Sequence, residues 1–548
     1  MIKNKDHRIS FFALGGLGEI GANCYVYRLF NNEGDEEFYI VDLGMGFNDI
    51  GISSVDTFFP DISFLKENKD KIKAILVTHG HEDHIGGISY LWQDLGCPIY
   101  ATSWTADLLK EKLKEFNLEK KAKIHIVNKD KEYKIGSLSF TWIEVTHSII
   151  DSSLLFIKTP LGNIIHSGDF KIDMAEDNIV KKLKQQSNNQ IDYLFCDSTN
   201  VLDEGKTQAE STTKKDLYSL IESTNGAVWA TFFASNLYRV QTLADIATKL
   251  NKKLVPFGRS MELHKNLAIK HGYLNENVFI TEDEIKHYDR NKLIFLVSGG
   301  QGEYRSVLFN VLVENRFRQK IQNQDTVIFS SRIIPGNESK VMRLYNILAT
   351  KDIDFFTVAD HNIHVSGHPK IEDLKIMYDF IKPKWIIPIH GEAMHLKAHS
   401  SLAKNLGYKT FMCLNGEEVE LFTEIPEEIG SIDIGRLTYE GNRILNFEDE
   451  IFKNRKKIFY EGAVFLTILF KNKEYKIVDI TVIGLLTEQE QEILNKQIIA
   501  KANSYLSVVA KNNKMSDGDI KEQARIFVRK YFKEKLDKKP IVKLHCVR

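Results

Sequence analysis

The segment Thr78-His79-Gly80-His81-Glu82-Asp83-His84 constrains this chain more than any other. It follows an apolar run at residues 74–77 and precedes a helical run. A strand therefore ends where three imidazoles and an aspartate fall within six residues. His79 and His81, two apart, project to the same side of extended backbone. Asp83 and His84 come after the turn and can face a second ion. Gly80, Gly86 and Gly87 let the chain turn sharply and approach closely. Imidazole nitrogens and carboxylate oxygens suit zinc, at roughly 2.0–2.2 Å. A lone histidine is usually structural, but this clustering points to a metal.

Such a centre needs a scaffold, and 548 residues exceed a single core. The chain is 43% hydrophobic and 27% charged, so a large core can be buried. Its formal net charge is −1, so a polyanion would have to be held by local basic patches. Composition alone favours an ordinary metabolic enzyme. The five cysteines, Cys24, Cys97, Cys196, Cys413 and Cys546, have no CxxC spacing. They predict neither a zinc finger nor a disulfide framework, and they fit a reducing cytosol. The N-terminus lacks the apolar stretch of a signal peptide, and no run approaches the roughly 20 apolar residues of a membrane span.

Short runs rich in β-branched or aromatic residues predict strands at 9–14, 25–29, 38–41, 74–78, 138–145, 154–158, 163–166 and 193–196. Helices are predicted at 64–68, 85–95 and 103–116. Residues 1–206 thus read as a strand-rich α/β layer system. From 207 to 360, strands at 228–232, 253–256, 293–297 and 326–329 alternate with helical stretches such as 237–250. That alternation predicts a parallel sheet, a separate domain inserted into the first. Histidines return in 361–441, where a strand at 385–389 runs into His390. The charged stretch 442–462, with Lys453, Arg455, Lys456 and Lys457, reads as a linker or equally as a solvated face. A small α+β unit fills 463–548, with strands at 464–470, 475–483 and 541–544, and Thr487 with Glu490 forming a capping box.

The histidine segment resembles the signature of the metallo-β-lactamase superfamily. Asp42, in Val41-Asp42-Leu43-Gly44, matches that family's early aspartate, which braces the histidine loop. His147, in Thr146-His147-Ser148, and Asp169, in Ser167-Gly168-Asp169, match a third ligand and a bridging carboxylate. Three further motifs, Asp197-Ser198-Thr199, His364-Val365-Ser366-Gly367-His368 and His390-Gly391-Glu392, resemble those of the β-CASP group, its nucleic-acid-cutting branch. Within that group the chain is similar to bacterial ribonuclease J, through Ala234-Ser235-Asn236, Ser298-Gly299-Gly300-Gln301-Gly302-Glu303 and Ile334-Pro335-Gly336-Asn337-Glu338. The resemblance implies an αββα sandwich with an inserted parallel-sheet domain and a small α+β C-terminal domain.

It also implies roles. His79, His81 and His147 would hold one zinc, and Asp83, His84 and His390 a second, with Asp169 bridging. His368, Asp197 and Asp83 would serve catalysis, with Asp197 orienting His368. Ser235, Asn236, His364, Val365, Ser366, Gly367 and His368 would contact the substrate phosphate. Calcium is possible, with Asp49 a weak candidate. The implied activity is 5′-to-3′ exonuclease and endonuclease cleavage of single-stranded RNA in rRNA processing and mRNA decay, in the cytoplasm. A homodimer or homotetramer through the C-terminal domain is implied, with paralogue or RNA-decay partners possible and no membrane.

Two other classes compete: a nuclease for DNA, and a small-molecule hydrolase or non-catalytic RNA-binding partner. An intact ligand set argues against the non-catalytic version, and the insertion against a small-molecule enzyme. No residue decides RNA over DNA. His361, His395 and His399 lack motif support. Residues 298–302 lack the completion of a nucleotide-binding loop. The basic stretch 525–539 reads as an interface helix.

Overall fold

Alternation along the strands decides how the layers stack. The computed structural model describes residues 7–31, 35–47, 55–173, 182, 190–314, 317–471, 474–510 and 516–547. In the strand Arg8–Gly15, Ile9, Phe11 and Ala13 face one side, while Phe12 and Leu14 face the other. The first set packs against Phe140, Trp142, Leu155 and Phe195 of a second sheet. The second set packs against Ile85, Ile88, Leu91 and Trp104 from helical segments. The second sheet repeats the device. Tyr193 and Phe195 point inward, while Leu194 and Cys196 meet Leu374, Met377 and Tyr378 of the helix Ile371–Ile381. An eight-stranded and a seven-stranded sheet therefore lie face to face with helices outside, the αββα sandwich expected.

Strand register brings distant residues together at one edge. Val41 pairs with Leu76 in parallel, which sets Asp42 beside Thr78. Tyr193–Asp197 runs parallel to Trp385–Ile389, with Asp197 opposite Ile389. The whole inserted sheet lies between those two strands in sequence. That sheet has five parallel strands, in the order Lys253–Phe257, Leu293–Val297, Val228–Thr231, Thr326–Phe329 and Asp354–Phe356. The central ones are buried on both faces, which explains their continuous apolar runs. The edge strand Asp354–Phe356 was not predicted, because it is only three residues long.

One expectation is corrected and a second gains detail. The helix foreseen at 85–95 is two, Glu82–Ile85 and Ile88–Leu95, broken at Gly86 and Gly87. A Cβ on Gly87 would lie 2.7 Å from the Gly44 carbonyl oxygen, so this turn is built for close approach. The stretch 442–462, expected as a linker or a solvated face, has regular structure. It contains the strand Arg443–Asn446 and the helix Glu450–Glu461, which buries Phe452 and exposes Lys453, Lys456 and Lys457. The charges belong to the solvated face of that helix.

The first compact unit ends at Ile444 and the second begins at Leu445. In the second, Ala463–Lys471 is the central strand, antiparallel to Glu474–Ile483 and parallel to Ile541–Val547. Val464, Leu466 and Ile468 pack on Ile498, Leu506, Val528 and Phe532 of the helices Glu488–Val509 and Asp517–Leu536. The capping box forms, with Glu490 Oε2 accepting from the Thr487 N–H at 2.9 Å. On the opposite face Phe465 and Leu469 are exposed. No helix among the described residues is long and apolar enough to cross a membrane.

A buried arginine ties the segment before the inserted sheet, through an ion pair, to the segment after it, through a hydrogen bond. Arg239 Nε donates to Glu210 Oε1 at 2.7 Å, and its Nη1 donates to the Ile363 carbonyl. The Arg239 side chain is fully buried. Removing one partner strands the other charge, which costs about 3–5 kcal/mol. Arg239→Met should lose that much stability in urea unfolding, and adding Glu210→Gln should recover part of it. An Arg239→Met chain as stable as wild type would contradict this account.

Candidate metal centre

The site lies at the strand edge where Asp42, Thr78, Asp197 and His390 meet. His79 Nε2 and His147 Nε2 each lie 3.1 Å from His81 Nδ1, and each is 3.7 Å from Asp169 Oδ2. Beside them, His84 Nε2 is 3.2 Å from the same Asp169 oxygen and 3.5 Å from Asp83 Oδ2. His390 Nε2 is 3.2 Å from Asp83 Oδ2. In each of the two clusters the ligand atoms lie within 4.8 Å of one another. A tetrahedron with ~2.0–2.1 Å bonds has edges of roughly 3.3 Å, so these spacings fit zinc in size.

The outer hydrogen bonds fix which nitrogens are bare. His79 Nδ1–H donates to Thr78 Oγ1 at 3.0 Å, and His147 Nδ1–H to the Gly367 carbonyl at 2.7 Å. His84 Nδ1–H donates to Asp42 Oδ2 at 2.7 Å, and His390 Nδ1–H to Thr199 Oγ1 at 2.8 Å. Each of these four rings therefore turns its Nε2 inward, and in His79 and His147 that nitrogen is a bare lone pair. Several lone pairs and a carboxylate oxygen aimed at one point repel unless a cation lies among them. The donor set therefore fits a metal, with each outer nitrogen anchored as in known metal sites.

Asp42 is hydrogen-bonded to the histidine loop at Thr78 and His84. Its carboxylate accepts from Thr78 N and Thr78 Oγ1, both at 2.8 Å. Its backbone is left-handed, with φ of 61°, and so is that of His390, with φ of 52°. Strain of this kind persists only where surrounding contacts enforce it.

Asp197 accepts from His368 Nδ1–H at 2.8 Å through Oδ2. Through Oδ1 it accepts from Thr199 N at 2.9 Å and Thr199 Oγ1 at 2.7 Å. One carboxylate thus holds His368 directly and His390 through Thr199. Ser366 Oγ accepts from Asn200 Nδ2 at 2.6 Å and from His368 N at 3.2 Å, leaving its own proton free to donate. Gly367 has no room for a side chain, since a Cβ would lie 2.6 Å from the His147 ring.

The remaining predicted contacts divide. Val365 is core, 6% exposed, and can offer only backbone. Asn236 Oδ1 caps the helix Leu237–Lys249 by accepting from Arg239 N at 3.1 Å, so its amide donor is what is left. His364 Nδ1 is buried without a partner. Asp49 lies outside the described residues. Asn23, Thr199 and Asn200 were not foreseen. Asn23 donates to the Asp83 carbonyl at 3.0 Å and sits 3.1 Å from His84 Nε2, oriented by Tyr25. Thr199 and Asn200 adjoin Asp197, and a hydroxyl and an amide beside a buried carboxylate were the available signal.

The clusters differ in charge. Burial, with the neighbouring imidazoles, pushes His79 and His147 well below the ordinary imidazole range, and His81 to about 4. Burial opposes the charge on His84 and His390 too. There Asp169 leads the carboxylates that outweigh it, raising both, His390 to about 10. A metal entering the second cluster at pH 7 must therefore displace protons, while the first cluster starts without them. Zinc titrated calorimetrically in two buffers should show proton release for the binding event that His390→Ala abolishes. That event should weaken more between pH 7 and pH 5 than the other. Equal pH dependence of the two would refute the assignment.

Known proteins resemble this chain over nearly its whole length. Residues 17–213 match the metallo-β-lactamase superfamily, and 225–348 match the ribonuclease J β-CASP domain. Residues 359–413 match the Zn-dependent metallo-hydrolase RNA specificity domain, and 450–548 the ribonuclease J C-terminal domain. Ribonuclease J of Helicobacter pylori (strain ATCC 700392 / 26695) is 33% identical over 99% of this chain and 80% of its own length. Ribonuclease J of Sinorhizobium meliloti is 32% identical over 98% of this chain and 97% of its own. Ribonuclease J2 of Bacillus subtilis is 28% identical over 99% of each. The crystal structure of a protein of unknown function from Enterococcus faecalis V583 superposes with a TM-score of 0.55 at 18% identity. It covers 76% of this chain and all of its own, and shares the fold.

Proposed function

The chain belongs to the ribonuclease J family, and on that premise we propose that it is a two-zinc ribonuclease acting on single-stranded RNA. The observation that carries this reading is the pair of His/Asp clusters sharing Asp169, with His368 and Asp197 at their edge. His79, His81, His147 and Asp169 would hold one ion, and Asp83, His84, Asp169 and His390 the other. Bound zinc would supply a water that ionises near neutral pH and would neutralise charge on the phosphate.

The residues of the chain would do the rest. The P–O3′ bond breaks, the product keeps a 5′ phosphate, and the departing ribose oxygen needs a proton. His368 Nδ1 is committed to Asp197, so its Nε2–H is the donor. Burial opposes a charged His368, but Asp197 and Asp169 raise its proton affinity and keep it a donor. The free Ser366 proton, the Asn236 amide, Ser235 and His364 would grip a phosphate oxygen. At a 5′ end the same groups would favour one phosphate over three. We read residues 1–206 with 361–441 as the metal domain and 207–360 as the insertion that closes over it. The setting would be cytoplasmic RNA processing and decay, by end trimming and internal cutting.

One assay tests the chemistry. Labelled RNA and DNA with monophosphate or triphosphate 5′ ends should show RNA with a monophosphate end degraded fastest. In it, His368→Ala should keep its zinc and thermal stability but lose kcat by about 10²–10⁴-fold, the range for a positioned acid. Asp197→Asn should lose less. A His368→Ala protein that lost zinc, or cut RNA normally, would overturn the assignment.

The second unit would serve self-association. Its sheet leaves Phe465, Leu469, Val478 and Ile483 exposed, and small α+β units often gain stability by pairing. Light scattering on a chain ending at Ile444 should give a smaller assembly than the full chain. An unchanged assembly mass would assign the unit another role.

A further inference from the structure

His399 is near the centre but turned away from it. It lies on the helix Ala393–Asn405, which starts three residues after His390, and it is fully buried. Its Nδ1–H donates to Ser198 Oγ at 2.8 Å, and its Nε2 accepts from the Tyr378 hydroxyl. Ser198 and Tyr378 are also fully buried. Each proton in this row has one place to go, since Ser198 Oγ can pass its own to the Cys196 carbonyl at 3.4 Å. Burial pushes the His399 imidazole down to about 4, which keeps it neutral and suited to donate at one nitrogen and accept at the other.

Ser198 touches both sides of His390. Its N–H donates to the Ile389 carbonyl at 3.0 Å, just before that residue. Just after it, Gly391 packs so closely that an added Cβ would lie 3.2 Å from Ser198 Cβ. His390 between them has a left-handed backbone, which something must enforce. Ser198 also stands between Asp197 and Thr199, the two residues that hold His368 and His390.

We propose that Ser198, His399 and Tyr378 form a buried positioning relay that holds the Asp197–Thr199 turn and the backbone of His390 in register. The inference rests on the roles given above to Asp197, His368 and His390. The relay touches no substrate. It transmits the packing of two outer helices, Ile371–Ile381 and Ala393–Asn405, to one carboxylate and one imidazole. His395 meets the same turn by packing alone, its Cβ 2.9 Å from a Cβ built on Gly391.

The test uses the full zinc-loaded chain and two light variants. Tyr378→Phe removes one oxygen, and Ser198→Ala removes another, so neither opens a large cavity. Each should speed release of one zinc ion to a chromophoric chelator by about 10-fold, the lower end for loss of a group supporting a metal ligand. Each should lower kcat on RNA by a similar factor with KM within about twofold. Because the three groups act in series, the double variant should be no worse than the worse single. Wild-type release and cutting in both singles would overturn the relay, as would losses that multiply in the double. A loss confined to melting temperature would do the same. If the unmodified chain cuts no RNA, the ribonuclease reading fails, and zinc release alone judges the relay.

Discussion

Three imidazole nitrogens converging on one carboxylate oxygen are the constraint that the rest of the structure has to satisfy. His79 Nε2, His147 Nε2 and His84 Nε2 all approach Asp169 Oδ2, and each has its other nitrogen tied to protein. None can turn without breaking a buried hydrogen bond. The arrangement is costly without a cation, and the fold supplies the force that maintains it. The interior shared by the two sheets, with Phe11, Trp142 and Phe195, fixes the strands whose ends carry Asp42, Thr78 and Asp197. The metal edge is thus an outcome of sheet packing, and its chemistry is set by where alternating strands stop.

The sequence was most legible where chemistry and local geometry coincide. His79, His81, Asp83 and His84 fall on one strand end and one turn, so spacing alone brought them together. His147, Asp169, His390, Asp197 and His368 carried at most a weak local signal, such as the strand that runs into His390, and resemblance to a family assigned them. Their meeting depends on long-range register, such as Asp197 opposite Ile389. Thr199 and Asn23 escaped notice because hydroxyl and amide side chains are common and gain meaning only from a partner. Gly86 and Gly87 were read as turn residues, yet the helix was drawn through them. Only packing against residues 43–45 shows why the helix must break there.

The charged stretch at the start of the second unit shows the opposite limit. Lys453, Lys456 and Lys457 suggested solvent, and they are exposed. What the charges hid was Phe452, whose burial makes that stretch one face of a helix. Polar residues report on the outside of an element and say little about whether the element exists.

Asp83 and His390 are separated by 307 positions in the chain, although their side chains meet. The inserted parallel sheet is made in between. A growing polypeptide that has not reached residue 390 has the first cluster's histidines but lacks an imidazole of the second. No amount of local folding can supply it. The ordering of the gene product in time is therefore written into the site: the second cluster is complete only late in synthesis. A truncated or stalled translation product is left with half a centre.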